Sequence, residues 1–207
     1  MSPRVVVLDY GSGNLRSAQR ALERVGAEVS VTDDAGLAEA ADGLVVPGVG
    51  AFAACMEGLR RVGGPDIVAR RIAAARPVLG ICVGMQVLFD AGHEHGVVTS
   101  GLGVLPGRVE ALRAPVVPHM GWNTVDPAAG STLFAGMAAG TRFYFVHSYA
   151  VRSTTVQSTG RGRVSITEHG EAFVSAVETD LVSATQFHPE KSGEAGAALL
   201  ENWLGSL

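Results

Sequence analysis

Three side chains of this sequence have the types and spacing for covalent acyl-transfer chemistry. Cys82 stands in Pro77-Val78-Leu79-Gly80-Ile81-Cys82-Val83-Gly84-Met85-Gln86, with a glycine two residues to either side. This is the spacing of a nucleophile elbow, a sharp strand-to-helix turn, with sulfur in place of the serine oxygen. Glycines suit it because the nucleophile takes a strained backbone conformation, and side chains at positions 80 and 84 would clash with the neighbouring strand and helix. The thiol then projects from the sheet edge, where the amides and positive dipole end of the following helix make it more nucleophilic.

A thiolate nucleophile needs an imidazole to protonate the leaving group, and Gln186-Phe187-His188-Pro189-Glu190 supplies one. Pro189 biases His188 towards an extended backbone, in which residues two apart point to the same side. Glu190 is therefore expected beside the His188 ring, fixing its tautomer and stabilising the imidazolium. A third segment, Leu44-Val45-Val46-Pro47-Gly48-Val49-Gly50, reads as a strand entering a turn. Its amides, with that of Val83, could stabilise the oxyanion of a tetrahedral intermediate.

The remaining candidates carry plainer readings. Cys55 lies in a helical pattern with Phe52 and Leu59, lacks an elbow, and reads as core. His93-Glu94-His95 falls in an expected surface loop over 90–96 without a third ligand at useful spacing, so no metal is expected. His119, His147 and His169 have neither a paired acid nor metal-type spacing, and no chemistry is assigned to them.

Positioning these groups requires a sheet. The first half alternates β-branched runs at 4–9, 28–32, 43–46 and 77–81 with helical patterns at 15–25, 51–62 and 66–75. Such alternation predicts an α/β fold with a parallel central sheet and helices on both faces. In the second half, strand-like segments at 103–112, 143–151, 163–167, 172–178 and 181–186 are joined by short polar turns and read as antiparallel additions. A final pattern over 193–204 places Leu199, Leu200, Trp203 and Leu204 at helical spacing.

Bulk properties exclude other classes. With 207 residues, 47% of them hydrophobic and 17% charged, the chain is long enough for a substantial core and is expected to form a single domain over 1–207. A formal net charge of -4 leaves no basic footprint for nucleic acid. The longest nearly uncharged stretch, 77–89, is too short to span a bilayer, and no membrane association is expected. The first ten residues lack a signal peptide's hydrophobic region, and two cysteines make no disulfide framework, so the expected location is the cytoplasm.

Taken together, Gly80 to Gln86 and His188-Pro189-Glu190 resemble the class I, or triad, glutamine amidotransferases over the whole chain. Four further segments resemble the glutaminase subunits of imidazole glycerol phosphate synthases, of histidine biosynthesis. They are Asp9-Tyr10-Gly11-Ser12-Gly13-Asn14-Leu15, Pro47-Gly48-Val49-Gly50-Ala51-Phe52, Pro118-His119-Met120-Gly121-Trp122-Asn123 and Phe143-Tyr144-Phe145-Val146-His147-Ser148-Tyr149. The resemblance implies a flavodoxin-like core, no cofactor, and a heterodimer with a (β/α)8-barrel cyclase subunit that receives ammonia. It implies that Cys82 attacks the glutamine carboxamide, that His188 transfers protons and that Glu190 orients His188. By the same resemblance Gly50, Gln86, Ser148 and Tyr149 line the glutamine pocket, while Asn14, Trp122 and Lys191 face the cyclase.

Two other functions fit parts of the chain. A γ-glutamyl hydrolase acting alone would use the same nucleophile, base and oxyanion site. A dinucleotide-binding unit is imitated by Gly11-Ser12-Gly13 after the first strand and Asp33-Asp34 after the second, but Arg16 occupies the third glycine position, where helix and strand must approach closely.

Overall fold

A computed structural model describes residues 2–152 and 162–207. The first half follows the predicted alternation: β1 (Arg4–Leu8), α1 (Leu15–Arg24), β2 (Glu28–Thr32), α2 (Ala35–Ala40), β3 (Gly43–Gly48), α3 (Phe52–Arg61), α4 (Gly64–Ala73) and β4 (Val78–Cys82). A single helical turn, α5 (Val83–Gln86), follows, and then β5 (Phe89–Glu94), β6 (Val97–Ser100) and β7 (Leu105–Ala111). The rest comprises β8 (His119–Thr124), β9 (Arg142–His147), β10 (Tyr149–Val151), β11 (Arg163–His169), β12 (Glu171–Glu178), β13 (Val182–Thr185), a 3-10 turn (Pro189–Lys191) and α6 (Gly193–Leu204).

Among the described residues, seven strands form the main sheet in the order β11-β12-β13-β4-β3-β1-β2. From β13 to β2 every pairing is parallel, while β11 and β12 are antiparallel additions at one edge. β3 and β4 are buried along their whole length, which is why they read as unbroken apolar runs. Phe52, Cys55, Met56 and Leu59 recur at one face of α3 and are all buried there. Leu199, Leu200 and Trp203 do the same for α6, while Leu204 is only half-buried.

The second half differs from the predicted arrangement in four ways. First, only β11 and β12 extend the main sheet as antiparallel strands, whereas the segment expected to be antiparallel over 181–186 is β13, which lies inside the sheet between β12 and β4 and runs parallel to β4; β10, β7, β5 and β6 form a separate four-stranded sheet, and β8 with β9 a two-stranded one. Second, the predicted strand over 143–151 is two strands, because Ser148 separates β9 from β10 and the chain changes sheet there. Third, 90–96 is no surface loop: most of it belongs to the β5–β6 hairpin, registered His93 opposite Val98. Fourth, the segment around Trp122 is strand β8, with Trp122 opposite Tyr144 of β9. Helix α2 was absent from the sequence pattern because it is a six-residue segment; Asp34 caps it by accepting a hydrogen bond from the Leu37 amide at 2.8 Å. No helix among the described residues is long and apolar enough to cross a membrane.

Candidate active site

β4 sits between β3 and β13, and the register of both pairings decides what surrounds its last residue. Cys82 lies opposite Gly48 at the end of β3, and Ile81 opposite Thr185 at the end of β13. Because the three strands run parallel, the segments leaving β3 and β13 emerge beside the cysteine at the carboxyl edge of the sheet, where such folds place their sites.

Cys82 has φ 56 and ψ −114, a left-handed conformation that non-glycine residues rarely adopt. The glycines around it are required by backbone contacts. A Cβ at Gly84 would lie 1.8 Å from the Val46 carbonyl oxygen, and one at Gly80 would lie 2.7 Å from the Gly84 oxygen. Elbow and β3 are thus in backbone contact, which leaves little room for the sulfur to shift. The predicted helix after the cysteine is only the one turn of α5. Its macrodipole is correspondingly short, so the first-turn amides, that of Val83 foremost, rather than a long helix dipole are what this turn offers to a negative charge.

The segment after β13 is held at several points. The Gln186 amide donates to the Ser175 oxygen at 2.8 Å and the His188 amide to the Tyr144 oxygen at 2.9 Å. Phe187 is fully buried with its ring centroid 4.3 Å from that of Phe143 and 5.5 Å from that of Phe145. Ser192 donates its hydroxyl to the His188 oxygen at 2.7 Å and accepts the Tyr144 amide at 2.9 Å, tying the 3-10 turn to β9. His188 itself is extended, at φ −102 and ψ 97, as its following proline requires.

That conformation brings His188 Nδ1 to 2.7 Å from Glu190 Oε1, with the two side chains only 2% and 4% exposed. Burial alone would pull the imidazole pKa down, but Cys82 and Glu190 more than reverse this and push it up to about 9. His188 Nε2 is buried and has no hydrogen-bond partner among the described residues, so the nitrogen opposite the Glu190 bond is unspent.

The other sequence candidates fall into three groups. Gly48 does border the elbow, since a Cβ there would meet the Gly84 nitrogen at 2.5 Å; Val49 and Gly50 follow it in the turn, Gly50 with φ 88. The expectation that the Val49 amide is presented to the site is not met in this conformation. That amide donates to Ser12 Oγ at 3.2 Å, and Ser12 in turn donates to the Val49 oxygen at 2.8 Å. In the pocket group, Gln86 is 2% exposed and its amide nitrogen is spent, donating to the Tyr149 oxygen and to Gln186 Oε1, both at 2.9 Å. Ser148 and Tyr149 are half-buried at the β9–β10 break. Asn14, Trp122 and Lys191 are exposed; Asn14 occupies the N-cap position of α1 without a side-chain capping bond. Trp122 keeps 53% exposure beside exposed Met120, both on the outward face of β8, and is therefore no core aromatic.

Three features escaped the sequence reading. Gln186 is wholly buried between Gln86 and Cys82; its position at the head of the histidine segment was the available signal. Ser12 clamps Val49, and Cys55 Sγ lies 3.2 Å from the same hydroxyl. His119 and His147, judged unremarkable singly, bond to each other at 3.0 Å across the β8–β9 pair. No group of three or more His, Cys, Asp or Glu among the described residues is arranged to hold a metal ion.

A cysteine at a strained elbow, a histidine–glutamate pair beside it and a mainly parallel sheet with helices define a class I glutamine amidotransferase. Residues 6–206 match the family described as Glutamine amidotransferase class-I. Two solved structures agree in fold, a glutamine amidotransferase (TM-score 0.72, 21% identity, 98% of this chain and 99% of that one) and PurLQS from Thermotoga maritima (TM-score 0.69, 20% identity, 99% of each). Within this class the chain belongs to the family of imidazole glycerol phosphate synthase subunit HisH. It is 60% identical to the HisH subunit of Thermobifida fusca over 100% of both chains. It is 62% identical to that of Mycolicibacterium paratuberculosis over 100% of this chain and 99% of the other. With that of Corynebacterium diphtheriae it shares 60% identity over 99% of each.

Proposed function

We propose that this chain hydrolyses glutamine to glutamate and ammonia, and that the ammonia passes to a cyclase subunit of imidazole glycerol phosphate synthase in histidine biosynthesis. In this scheme Cys82 Sγ attacks the glutamine carboxamide carbon, giving a tetrahedral intermediate whose oxyanion is met by backbone amides of the turn at Gly48, Val49 and Gly50 and of Val83. His188 delivers its proton through Nε2 to the departing ammonia, leaving a γ-glutamyl thioester. The neutral imidazole then removes a proton from water, the hydroxyl attacks the thioester carbon, and the carbon–sulfur bond breaks to return Cys82. Glu190 holds His188 by its Nδ1 proton throughout. For the amide of Val49 to serve, it must first leave Ser12.

The observation that carries this assignment is the buried His188–Glu190 pair, 2.7 Å apart, beside a cysteine held in a left-handed conformation. Gln86, Ser148 and Tyr149 are assigned to the substrate's other end, Gln86 through its carbonyl oxygen because its nitrogen is already bonded. The family match over residues 6–206 supports treating 1–207 as one type-1 glutamine amidotransferase domain.

The names of the relatives, each a subunit of imidazole glycerol phosphate synthase, support assembly with a partner subunit, which we take to be the (β/α)8-barrel cyclase in a heterodimer, as the motif resemblance implies. The exposed apolar face of β8 with Trp122, together with Asn14 and Lys191, is assigned to that contact. A biosynthetic subunit with two free cysteines suits the cytoplasm.

The test is glutamate release by wild type and Cys82→Ala, each alone and with an imidazole glycerol phosphate synthase cyclase subunit plus its nucleotide ligand. Release that depends on Cys82 and on the cyclase is expected. No release under any condition, or fast cleavage of folate polyglutamates by the chain alone, would overturn the assignment.

A further inference from the structure

Gln186 touches the sulfur of Cys82, and the hydrogen bonds around it decide which of its atoms does so. It is 0% exposed. One end of its amide meets Gln86 at 2.9 Å and the other lies 3.8 Å from Cys82 Sγ, within reach of an N–H to sulfur bond. Side-chain amide oxygen and nitrogen are nearly indistinguishable by shape, so the assignment must come from neighbours. Here a backbone carbonyl settles it. The Tyr149 oxygen can only accept, so the Gln86 atom 2.9 Å from it is the amide nitrogen. The second hydrogen on that nitrogen points to Gln186, so the facing atom of Gln186 is its oxygen. What remains to face Cys82 is the Gln186 NH2 group.

The same carbonyl is held from the other side. His147 Nδ1 lies 3.0 Å from the Tyr149 oxygen and must therefore carry its proton there. Burial pushes the His147 pKa down to about 3, so the ring is neutral and its Nε2 is an acceptor, meeting His119 Nδ1 at 3.0 Å as donor. His119, also neutral because burial pushes it down to about 4, then accepts from Asn123 Nδ2 at 3.2 Å through its Nε2. Every donor direction from Asn123 on β8 to Cys82 on β4 is thus set by one carbonyl oxygen, and none of the side-chain amides of Asn123, Gln86 and Gln186 can flip without losing two bonds.

Resting on the assignment of Cys82 as nucleophile, we propose that Gln186 is a further catalytic residue that holds the reacting sulfur by donating a side-chain N–H to it. The bond is strongest when the sulfur is anionic, because charge-assisted hydrogen bonds are roughly twice as strong as neutral ones. It therefore favours the thiolate before attack and again when the thioester carbon–sulfur bond breaks. It also aims the sulfur, which lies 4.0 Å from the Val146 oxygen. Gln86, Tyr149 and the His147–His119 pair act through Gln186 as positioning groups.

Two replacements separate donation to sulfur from simple space-filling. Gln186→Glu keeps an oxygen for Gln86 but turns an acceptor towards the sulfur; Gln186→Met keeps the length and removes both polar ends. The readouts are the rate of iodoacetamide addition to Cys82, followed by mass spectrometry of its peptide to separate it from Cys55, and glutaminase kinetics with the cyclase subunit. Both variants are expected to slow alkylation and kcat by about 10- to 100-fold with KM little changed, the range corresponding to a hydrogen bond to a charged group. Folded variants that alkylate and turn over at wild-type rates, or that change KM alone, would overturn the proposal. If Cys82→Ala is inactive while the Gln186 variants are normal, only this role is lost; if Cys82→Ala retains full activity, the nucleophile assignment itself fails. Should neither variant fold, the assigned side-chain amide resonance of Gln186 in 15N-glutamine-labelled wild type decides. It is expected to move on alkylation of Cys82, and an unmoved resonance overturns the proposal.

Discussion

Glu190 Oε1 lies 2.7 Å from His188 Nδ1, and this contact between residues only two apart is buried on both sides. It leaves Nε2 as the nitrogen free for proton transfer. His188→Ala is expected to fold and to lose about 10²- to 10⁴-fold in glutamate release, the usual contribution of general acid–base groups. A variant with unchanged release in a continuous glutamate assay would remove His188 from the chemistry.

The pH profile should report the same pair. Because His188 is pushed up to about 9, its imidazolium persists through neutral pH and the rate is expected to fall as pH rises through about 9. Glu190→Gln removes one of the interactions that raise the pKa. The alkaline limb of kcat/KM, measured with the cyclase subunit present, should move to lower pH. A limb that stays in place would mean that another group sets it.

Gly84 is the steric keystone of the elbow. Its added methyl in Gly84→Ala would meet the Val46 oxygen at 1.8 Å, backbone against backbone, so neither side can yield cheaply. Overpacking of this kind costs about 1–3 kcal/mol. For a chain of this length that corresponds to roughly 2–4 °C in Tm per kcal/mol, readable by calorimetry. A Tm equal to wild type would mean that the elbow relaxes more easily than its contacts indicate.

Stability should depend on pH with two opposite signs. A histidine in the unfolded chain titrates near 6.5. His119 and His147 titrate at about 4 and about 3 in the folded protein, because burial disfavours their cations. Between these values the unfolded chain binds more protons, so their contribution is complete above about pH 6.5 and is lost as pH falls towards 4 and 3. His188, raised to about 9, contributes stability that is present below about 6.5 and lost as pH rises through about 9. Urea midpoints measured across this range should peak near neutrality, and His147→Gln should flatten the acid limb alone. An equally steep acid limb in that variant would assign the effect elsewhere.

Trp122 projects from the outer face of β8 and is 53% exposed, so its loss removes little from this chain's own core. Trp122→Ala is expected to keep the wild-type Tm and to weaken cyclase binding by about 30-fold or more, as for an aromatic interface anchor worth about 2 kcal/mol. Calorimetric titration with the cyclase measures it, and unchanged affinity would move the contact away from β8.

What could be read from the sequence were features governed by a few neighbouring residues. The elbow is legible because its backbone packs too closely for a side chain two residues to either side of the strained Cys82, Gly80 against Gly84 and Gly84 against Val46, and the His188–Glu190 contact because Pro189 extends the backbone between them. The buried runs of β3 and β4 announced the parallel core for a similar reason: strands covered on both faces must be apolar throughout. Short or interrupted elements were lost. The six residues of α2 hold too little periodicity, the break at Ser148 has no composition signal, and the 90–96 segment has the polar residues of a loop although it pairs as a hairpin.

Tertiary structure alone decided which distant groups meet. Cys82 and Gln186 are 104 positions apart, and they come within 3.8 Å because β13 chooses β4 as its parallel neighbour in a register that sets Thr185 beside Ile81. That choice depends on burying whole faces of strands and helices together, a property of the assembled core that no short window of residues contains. The polarity of Asn123, His119, His147, Gln86 and Gln186 likewise exists only once one Tyr149 carbonyl stands among them, since a side-chain amide or a neutral imidazole has no fixed direction until a partner that can only accept imposes one.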